Sequence, residues 1–299
     1  MNVTSNTPLE GWMKTVSGVL PILLVLTLTP VHGRILYMFL FKLPYCKLEV
    51  YGIMAHIEII QLLSVPGIFM MGVAQFLGYD PGNIVILFFH IISVSSRIEP
   101  ALSFVLALNR LKIMCKLGIP RWANMVFYIV IYIYGTLTMV ALFTPWCGLH
   151  FTVGENWGEY DFSKPYTWYV ERSNYFFMMS FGGATLTCYV AIFAHLIYTK
   201  KSTGMNHSVT KTETNVLFYS LLRFITEAVL MGVHRNMPPF HNQLVNFIFF
   251  ICFASNAIVL PPVTLLIVNR SFANDFFARK GPTTLANIAS IKPTGPPQN

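Results

Sequence analysis

The sequence predicts an all-α membrane protein: a bundle of seven transmembrane helices, N-terminus outside, with a short amphipathic helix after the seventh span. Three observations carry this. The 299 residues are 55% hydrophobic and only 11% charged, with a mean hydropathy of +0.58, whereas soluble domains carry about a quarter charged residues. Seven apolar segments follow one another at about 16–41, 51–77, 84–112, 123–145, 174–199, 215–235 and 243–268, each long enough for the roughly 20 residues a bilayer crossing needs. Lys and Arg fall mainly in alternate gaps between them, the asymmetry left when cationic loops stay in the cytosol.

The first segment is interrupted by Pro21, Pro30, His32 and Arg34. It still reads as a span, because neighbouring helices re-satisfy the carbonyls that proline frees. A basic n-region and a small-residue cleavage site are both missing from it, so a retained span is expected behind an extracellular tail of residues 1–15. The gaps beginning after the first span hold Lys42, Lys47, Arg110, Lys112, Lys116, Arg121, Lys200, Lys201 and Lys211, and the tail adds Arg270, Arg279, Lys280 and Lys292, thirteen in all. The other side holds only Lys14, Lys164, Arg172 and Arg235, together with Glu10, Asp80, Glu155, Glu159, Asp161 and Glu171. The N-terminus is therefore expected outside, which makes Asn2-Val3-Thr4 a glycosylation sequon at Asn2 and leaves those at Asn206 and Asn269 inside. Trp122 and Trp146, at the two ends of the fourth segment, fit an interfacial aromatic belt. The net charge of +8 has this topological cause and does not call for a nucleic-acid partner.

The longest outer loop, about 146–173, carries Trp157, Tyr160, Tyr166, Trp168 and Tyr169. That apolar area predicts a lid over the bundle. In the cytoplasmic tail, 269–299, Phe272, Phe276 and Phe277 at helical spacing precede Arg279 and Lys280. They predict the amphipathic helix on the inner leaflet, followed by a disordered Pro-rich end at 281–299. The internal repeat that marks inverted-repeat transporters is not seen. The five cysteines form no CxxC pair, the eight histidines no HExxH, and there is no P-loop, GxSxG or nucleotide-binding glycine turn. Neither an enzyme nor a metal or cofactor is predicted.

The sharpest local signal is Leu108-Asn109-Arg110-Leu111-Lys112 at the inner end of the third segment. By charge rules alone it is positive-inside flanking. The longer stretch from Ser95 to Arg110, SSRIEPALSFVLALNR, resembles the third helix of the nematode chemosensory serpentine receptors of the Srx or Srt type. In those seven-helix G-protein-coupled receptors an Asn-Arg pair replaces the Asp-Arg-Tyr of rhodopsin-like receptors. Pro262 to Phe272, PVTLLIVNRSF, is similar to the end of their seventh helix, and the layout agrees along nearly the whole chain. The resemblance implies a chemosensory receptor at the plasma membrane, probing small molecules and activating a heterotrimeric G protein. It assigns Arg110 to meet the C-terminus of a Gα subunit on activation. Asn109 lies beside it, and Lys112, Lys200, Lys201 and Lys211 form a cationic rim towards the G protein and the anionic leaflet. The sequence departs from the receptor pattern in three ways: no Asp precedes Arg110, no Cys opens the third span, and Leu265 stands at the seventh-helix Tyr position. The usual loop disulfide is thereby ruled out, leaving Cys147 unpaired or bonded to another chain.

Ionisable residues in hydrocarbon cost at least ~2.5 kcal/mol each and usually face partners inside the bundle. Glu58, Arg97, Glu99, Arg223 and Glu227 form the expected buried polar network, with Arg34 poorly placed. At a rise of about 1.5 Å per residue, Arg97 and Glu227 sit roughly 20 and 18 Å above the inner boundary, and Glu58 and Arg223 about 10 and 12 Å. Depth therefore pairs Arg97 with Glu227 and Glu58 with Arg223. Glu99, two residues from Arg97, points elsewhere, and Arg223 reaches Glu227 within one helix. Such a network is either structural or rearranges on ligand binding. A small-solute transporter or channel using these charges is the alternative function.

A ligand cavity is expected in the outer half, where Phe88, Phe89, His90, Tyr175, Phe176, Met179 and Phe247 lie by depth. An apolar lining of this kind suits small volatile or lipophilic ligands.

Overall fold

The computed structural model describes residues 11–118, 120–153, 157–203, 211–236 and 243–277, with residues 121, 157, 199–203, 211–216, 231, 234–236 and 243 described by backbone alone. The described chain is almost wholly helical: α1 (Gly11–Phe41), α2 (Glu49–Leu77), α3 (Ile84–Met114), α4 (Arg121–Phe143), α5 (Thr167–Thr203) and α6 (Lys211–Asn236). A last rod is composite, with α7 (Gln243–Ala254), a π-helical turn (Ser255–Val259) and α8 (Leu260–Val268), before the short α9 (Arg270–Phe277). Six described helices, counting the composite rod as one, are long and apolar enough to cross a membrane. The seventh expected span, α6, is helical and packs into the bundle but is not among those six.

α3 is the axis of the bundle, touching α2, α4, α5 and α6. Every residue from 98 to 107 on it is buried, as expected for a helix apolar on all sides. α1 and α2 pack closely because two glycines meet: a Cβ on Gly18 would come within 2.6 Å of Phe76, and one on Gly72 within 2.9 Å of the Gly18 carbonyl. α2 stops at Gly78, whose left-handed backbone (φ 84) lets its N–H bond the Ala74 carbonyl at 2.8 Å. Trp122 and Trp146 are both exposed, as an interfacial belt requires.

The π turn precedes Pro261 and Pro262 at the start of α8. Proline lacks the N–H that an α-helix directs at the carbonyl four residues earlier, and the rod widens by one residue where that bond is lost.

At the basic end, which carries Lys42 and Lys112, α9 is amphipathic, with Phe272 and Phe276 buried and Phe277 exposed. Phe272 packs between Phe39, Tyr45 and Tyr51, with ring centroids 5.5, 5.2 and 6.5 Å away. Asn269 accepts the Phe272 N–H at 3.2 Å and donates to the Tyr51 hydroxyl at 3.2 Å, so it caps the helix and ties it to α2. Tyr45 donates to Asp275 at 2.7 Å, and burial followed by that bond pushes its phenol above the usual value. The helix thus docks on the bundle through two of the three phenylalanines expected to face the leaflet. The tail beyond residue 277 and the Asn2 sequon lie outside the described residues.

At the opposite end the long loop folds into an antiparallel hairpin, β1 (Leu149–Thr152) and β2 (Trp157–Tyr160), with Leu149 opposite Tyr160. It lies against α3, α5 and α7. Tyr160 turns inward, whereas Tyr166, Trp168 and Tyr169 are exposed. Cys147 is buried and, like the other four cysteines, free. Burial removes the inter-chain disulfide from the two outcomes the sequence left open.

Candidate functional site

The charged side chains of the bundle separate into three places. In the middle, His32 on α1 holds Glu58 on α2 through Nδ1 at 2.6 Å, while its Nε2 lies 2.7 Å from the Ile258 carbonyl in the π turn. A carbonyl only accepts, so Nε2 carries a proton, and one further proton is shared between Nδ1 and the carboxylate. Next to this, Glu99 on α3 forms a salt bridge with Arg223 on α6 and accepts the Gln61 amide of α2 at 2.8 Å. Arg223 also donates to Tyr219 at 3.3 Å. Glu227 lies one turn further along, within electrostatic reach of Glu99 and Arg223. All the groups of the two pairs are buried, which favours ion pairing only where each charge keeps its hydrogen-bonding partners.

The depth-matched pairing is corrected by this arrangement. Glu58 meets His32 and not Arg223; Arg223 meets Glu99; Arg97 meets no carboxylate among the described residues. Depth orders residues along the bundle, but azimuth decides partners, and Glu58 faces α1. Arg34 is exposed and lies over the Phe276 ring at 4.9 Å.

The second place is the hairpin end. Arg97 donates through Nη1 to the Ser93 carbonyl and hydroxyl and through Nη2 to the Tyr160 hydroxyl. Tyr160 also accepts from Asn174 at 2.9 Å, and Asn174 accepts from Tyr134 at 2.7 Å. Arg97 therefore belongs to the contacts of the hairpin and not to the network around Glu99.

The third place is the basic end of α3. Arg110 is 3% exposed and lies within electrostatic reach of the Tyr51 and Tyr189 phenols. Asn109 is fully buried, its amide oxygen and nitrogen both without a partner among the described residues. Lys112 is not a free rim cation: it pairs with Glu49 at 3.6 Å, and Glu49 also accepts from Asn124 at 2.8 Å. Lys200, Lys201 and Lys211 fall on the basic ends of α5 and α6, with side chains outside the described residues.

The expected ligand-lining residues are not brought together. Phe176 and Met179 are 58% and 59% exposed on the outer face of α5, so they do not line the interior. Phe88 borders an apolar groove of about 450 Å³ formed chiefly by α1 and α2, with Val25, Pro30, Val65, Pro66 and Phe69. Tyr175 is half-buried beside Phe176. Phe89, His90 and Phe247 do face inward: Phe89 packs on Phe151 of the hairpin at 5.8 Å, His90 meets Phe143 at 5.1 Å, and Phe247 is buried. Among the described residues no three His, Cys, Asp or Glu side chains gather as a metal site.

Neither a family model nor a curated protein matches the sequence. The structure is similar to the crystal structure of squid rhodopsin, with a TM-score of 0.72 over 91% of this chain and 83% of that one, at 11% identity. The chain has a rhodopsin-like fold. With its six described helices long and apolar enough to cross a membrane, this gives it the architecture of a multi-pass membrane protein. Within that architecture His32, Gln61, Tyr219, Tyr160 and Asn174 are site residues that sequence reasoning passed over. His32 carried a signal as a histidine inside an apolar segment, and Tyr160 as one of the aromatics of the long outer loop, but neither signal named a partner.

Proposed function

We propose that this chain is a ligand-activated receptor of the plasma membrane, a chemosensory receptor of the nematode serpentine kind, with its N-terminus and hairpin outside. A small molecule binds beneath the hairpin among the outer helix ends, where Phe89, His90 and Phe247 face inward, and a heterotrimeric G protein binds at the basic end. The observation that carries the reading is Arg110, a cation stored under the helix ends of a rhodopsin-like bundle. Burying a cation is costly unless its surroundings compensate, so a change that separates the helix ends presents Arg110 to a partner. The ligand drives that change by binding the open arrangement better than the closed one.

The groups between the two ends suit transmission. Glu99–Arg223 joins α3 to α6, and His32 joins α1, α2 and the π turn. A transporter or channel needs charges available to a solute, whereas Glu58 is held by His32, and Glu99 and Arg223 by each other. The test is Gα nucleotide exchange in cells expressing the chain, screened against small volatile and lipophilic molecules. Ligand-dependent exchange in the wild type, lost in Arg110→Ala at equal surface expression, is the expected result. Normal exchange in that variant overturns the assignment.

A further inference from the structure

We propose that Arg97 anchors a binding site beneath the hairpin for a small amphiphilic carboxylate, an organic acid with an apolar body. This rests on the reading of the hairpin end as ligand-binding and gives that ligand its chemistry. Arg97 is well inside α3, yet half-buried rather than sealed. Its described partners, Ser93 and Tyr160, are neutral, and the four ion pairs among the described residues lie elsewhere. A guanidinium has five N–H donors. Nη1 spends both of its own on Ser93 and Nη2 one on Tyr160, which leaves Nε–H and one Nη2–H without a described partner. Two donors on a planar cation suit a carboxylate held in bidentate fashion.

The surroundings favour an anion over a neutral molecule. His90 lies seven residues before Arg97, two turns along the same face. It is buried, and both its ring nitrogens lack a partner among the described residues. Lys164 lies within its electrostatic reach and donates to the Cys147 carbonyl at 2.9 Å. Two nearby acids are engaged, Glu99 by Arg223 and Gln61, and Asp161 by the Ser163 hydroxyl and N–H, with Lys164 in its range, while Glu159, beside Tyr160, is exposed to solvent. The side of the site towards α5 is aromatic, where Tyr134 stacks flat on Phe177 at 3.8 Å. Tyr134, Asn174 and Tyr160 form a chain of hydrogen bonds that fixes the guanidinium, so the anchor is set before the ligand arrives.

The test uses the full-length protein in neutral phosphatidylcholine nanodiscs, titrated with decanoate or with decanamide, its uncharged counterpart, and read by thermal unfolding. Decanoate is expected to raise the unfolding temperature and decanamide to leave it unchanged. Arg97→Gln should abolish the decanoate shift. Tyr160→Phe, which keeps the charge and removes the orienting hydroxyl, should weaken binding about tenfold. Because the acid–amide contrast is measured on the wild type, a variant that fails to fold does not decide the outcome. No shift with decanoate, or equal shifts with the two compounds, overturns the proposal. Gα nucleotide exchange measured in parallel keeps the two claims apart. Acid-selective binding without exchange removes the receptor reading alone, and exchange without acid selectivity removes the carboxylate site alone.

Discussion

His32 Nε2 lies 2.7 Å from the carbonyl of Ile258, the acceptor that Pro262, four residues on, has no N–H to fill. A side chain from α1 thus replaces the backbone bond that the last rod gives up at its π turn. The same imidazole holds Glu58 at 2.6 Å, so one residue joins three parts of the bundle.

Replacing His32 by leucine leaves a buried carboxylate and a buried carbonyl unpartnered. Removing one member of a buried pair costs about 3–5 kcal/mol. Low surface yield and a lower unfolding temperature in detergent are expected. His32→Leu combined with Glu58→Leu should recover much of the loss, since an apolar pair of similar volume often replaces a buried ion pair without penalty. A single variant as stable as the wild type would show that the contact does not hold the π turn.

The same reasoning applies to Glu99 and Arg223, with a different readout. Glu99→Gln keeps the shape and the Gln61 contact but leaves the Arg223 cation between α3 and α6 without its salt-bridge partner, with Glu227 the acid still within its reach. Its yield should fall below that of the double variant Glu99→Gln/Arg223→Met. In the double variant the tie between the two helices is gone, so basal Gα nucleotide exchange without ligand should rise. Basal exchange equal to the wild type would assign the pair a structural role only.

Much of the bundle was legible in the sequence because hydrocarbon imposes long apolar runs on any chain that crosses it. The helices α2 and α3 begin within two residues of their apolar segments, and α9 forms where Phe272 and Phe276 set its period. Side-chain pairing was not legible. Glu58, Arg97 and Arg223 have depths that follow from residue counting, but their partners depend on how each helix is rotated, which an apolar segment with almost no amphipathic pattern does not record. His32 was visible only as an interruption, and its role needed the π turn to be seen. The long loop was expected to fold over the bundle, yet nothing in its composition distinguished Tyr160, which points in from β2, from Trp168 at the start of α5, which is exposed.

Contacts made by glycine give a sharper stability test. A Cβ on Gly72 would approach the Gly18 carbonyl to 2.9 Å and Ile22 to 3.0 Å. A backbone oxygen cannot rotate aside, so α1 and α2 must separate. Gly72→Val is expected to destabilise by about 1–3 kcal/mol, read as a lower unfolding temperature in nanodiscs. Gly52→Ala, on the same helix with open space around its Cβ position, should be tolerated and serves as the control for helix propensity. Equal effects at the two sites would mean that the close approach of α1 and α2 is not what the glycine protects.

Gly158 in β2 tests whether the hairpin is seated on the bundle in the way Tyr160 and Arg97 require. A Cβ there would fall 1.9 Å from the Phe89 ring, inside any van der Waals contact, so Gly158→Ala must lift the hairpin or turn Phe89 away. Lifting it moves Tyr160, two residues on, from Arg97 and Asn174. Backbone amides of β1 and β2 should then exchange faster with solvent, while those of α2 remain as in the wild type. Phe89→Ala removes the obstructing ring, and the double variant Gly158→Ala/Phe89→Ala should restore hairpin protection towards the wild-type level. If Gly158→Ala leaves hairpin exchange unchanged, Phe89 yields instead, and the ring is a movable wall of the site rather than the seat of its lid.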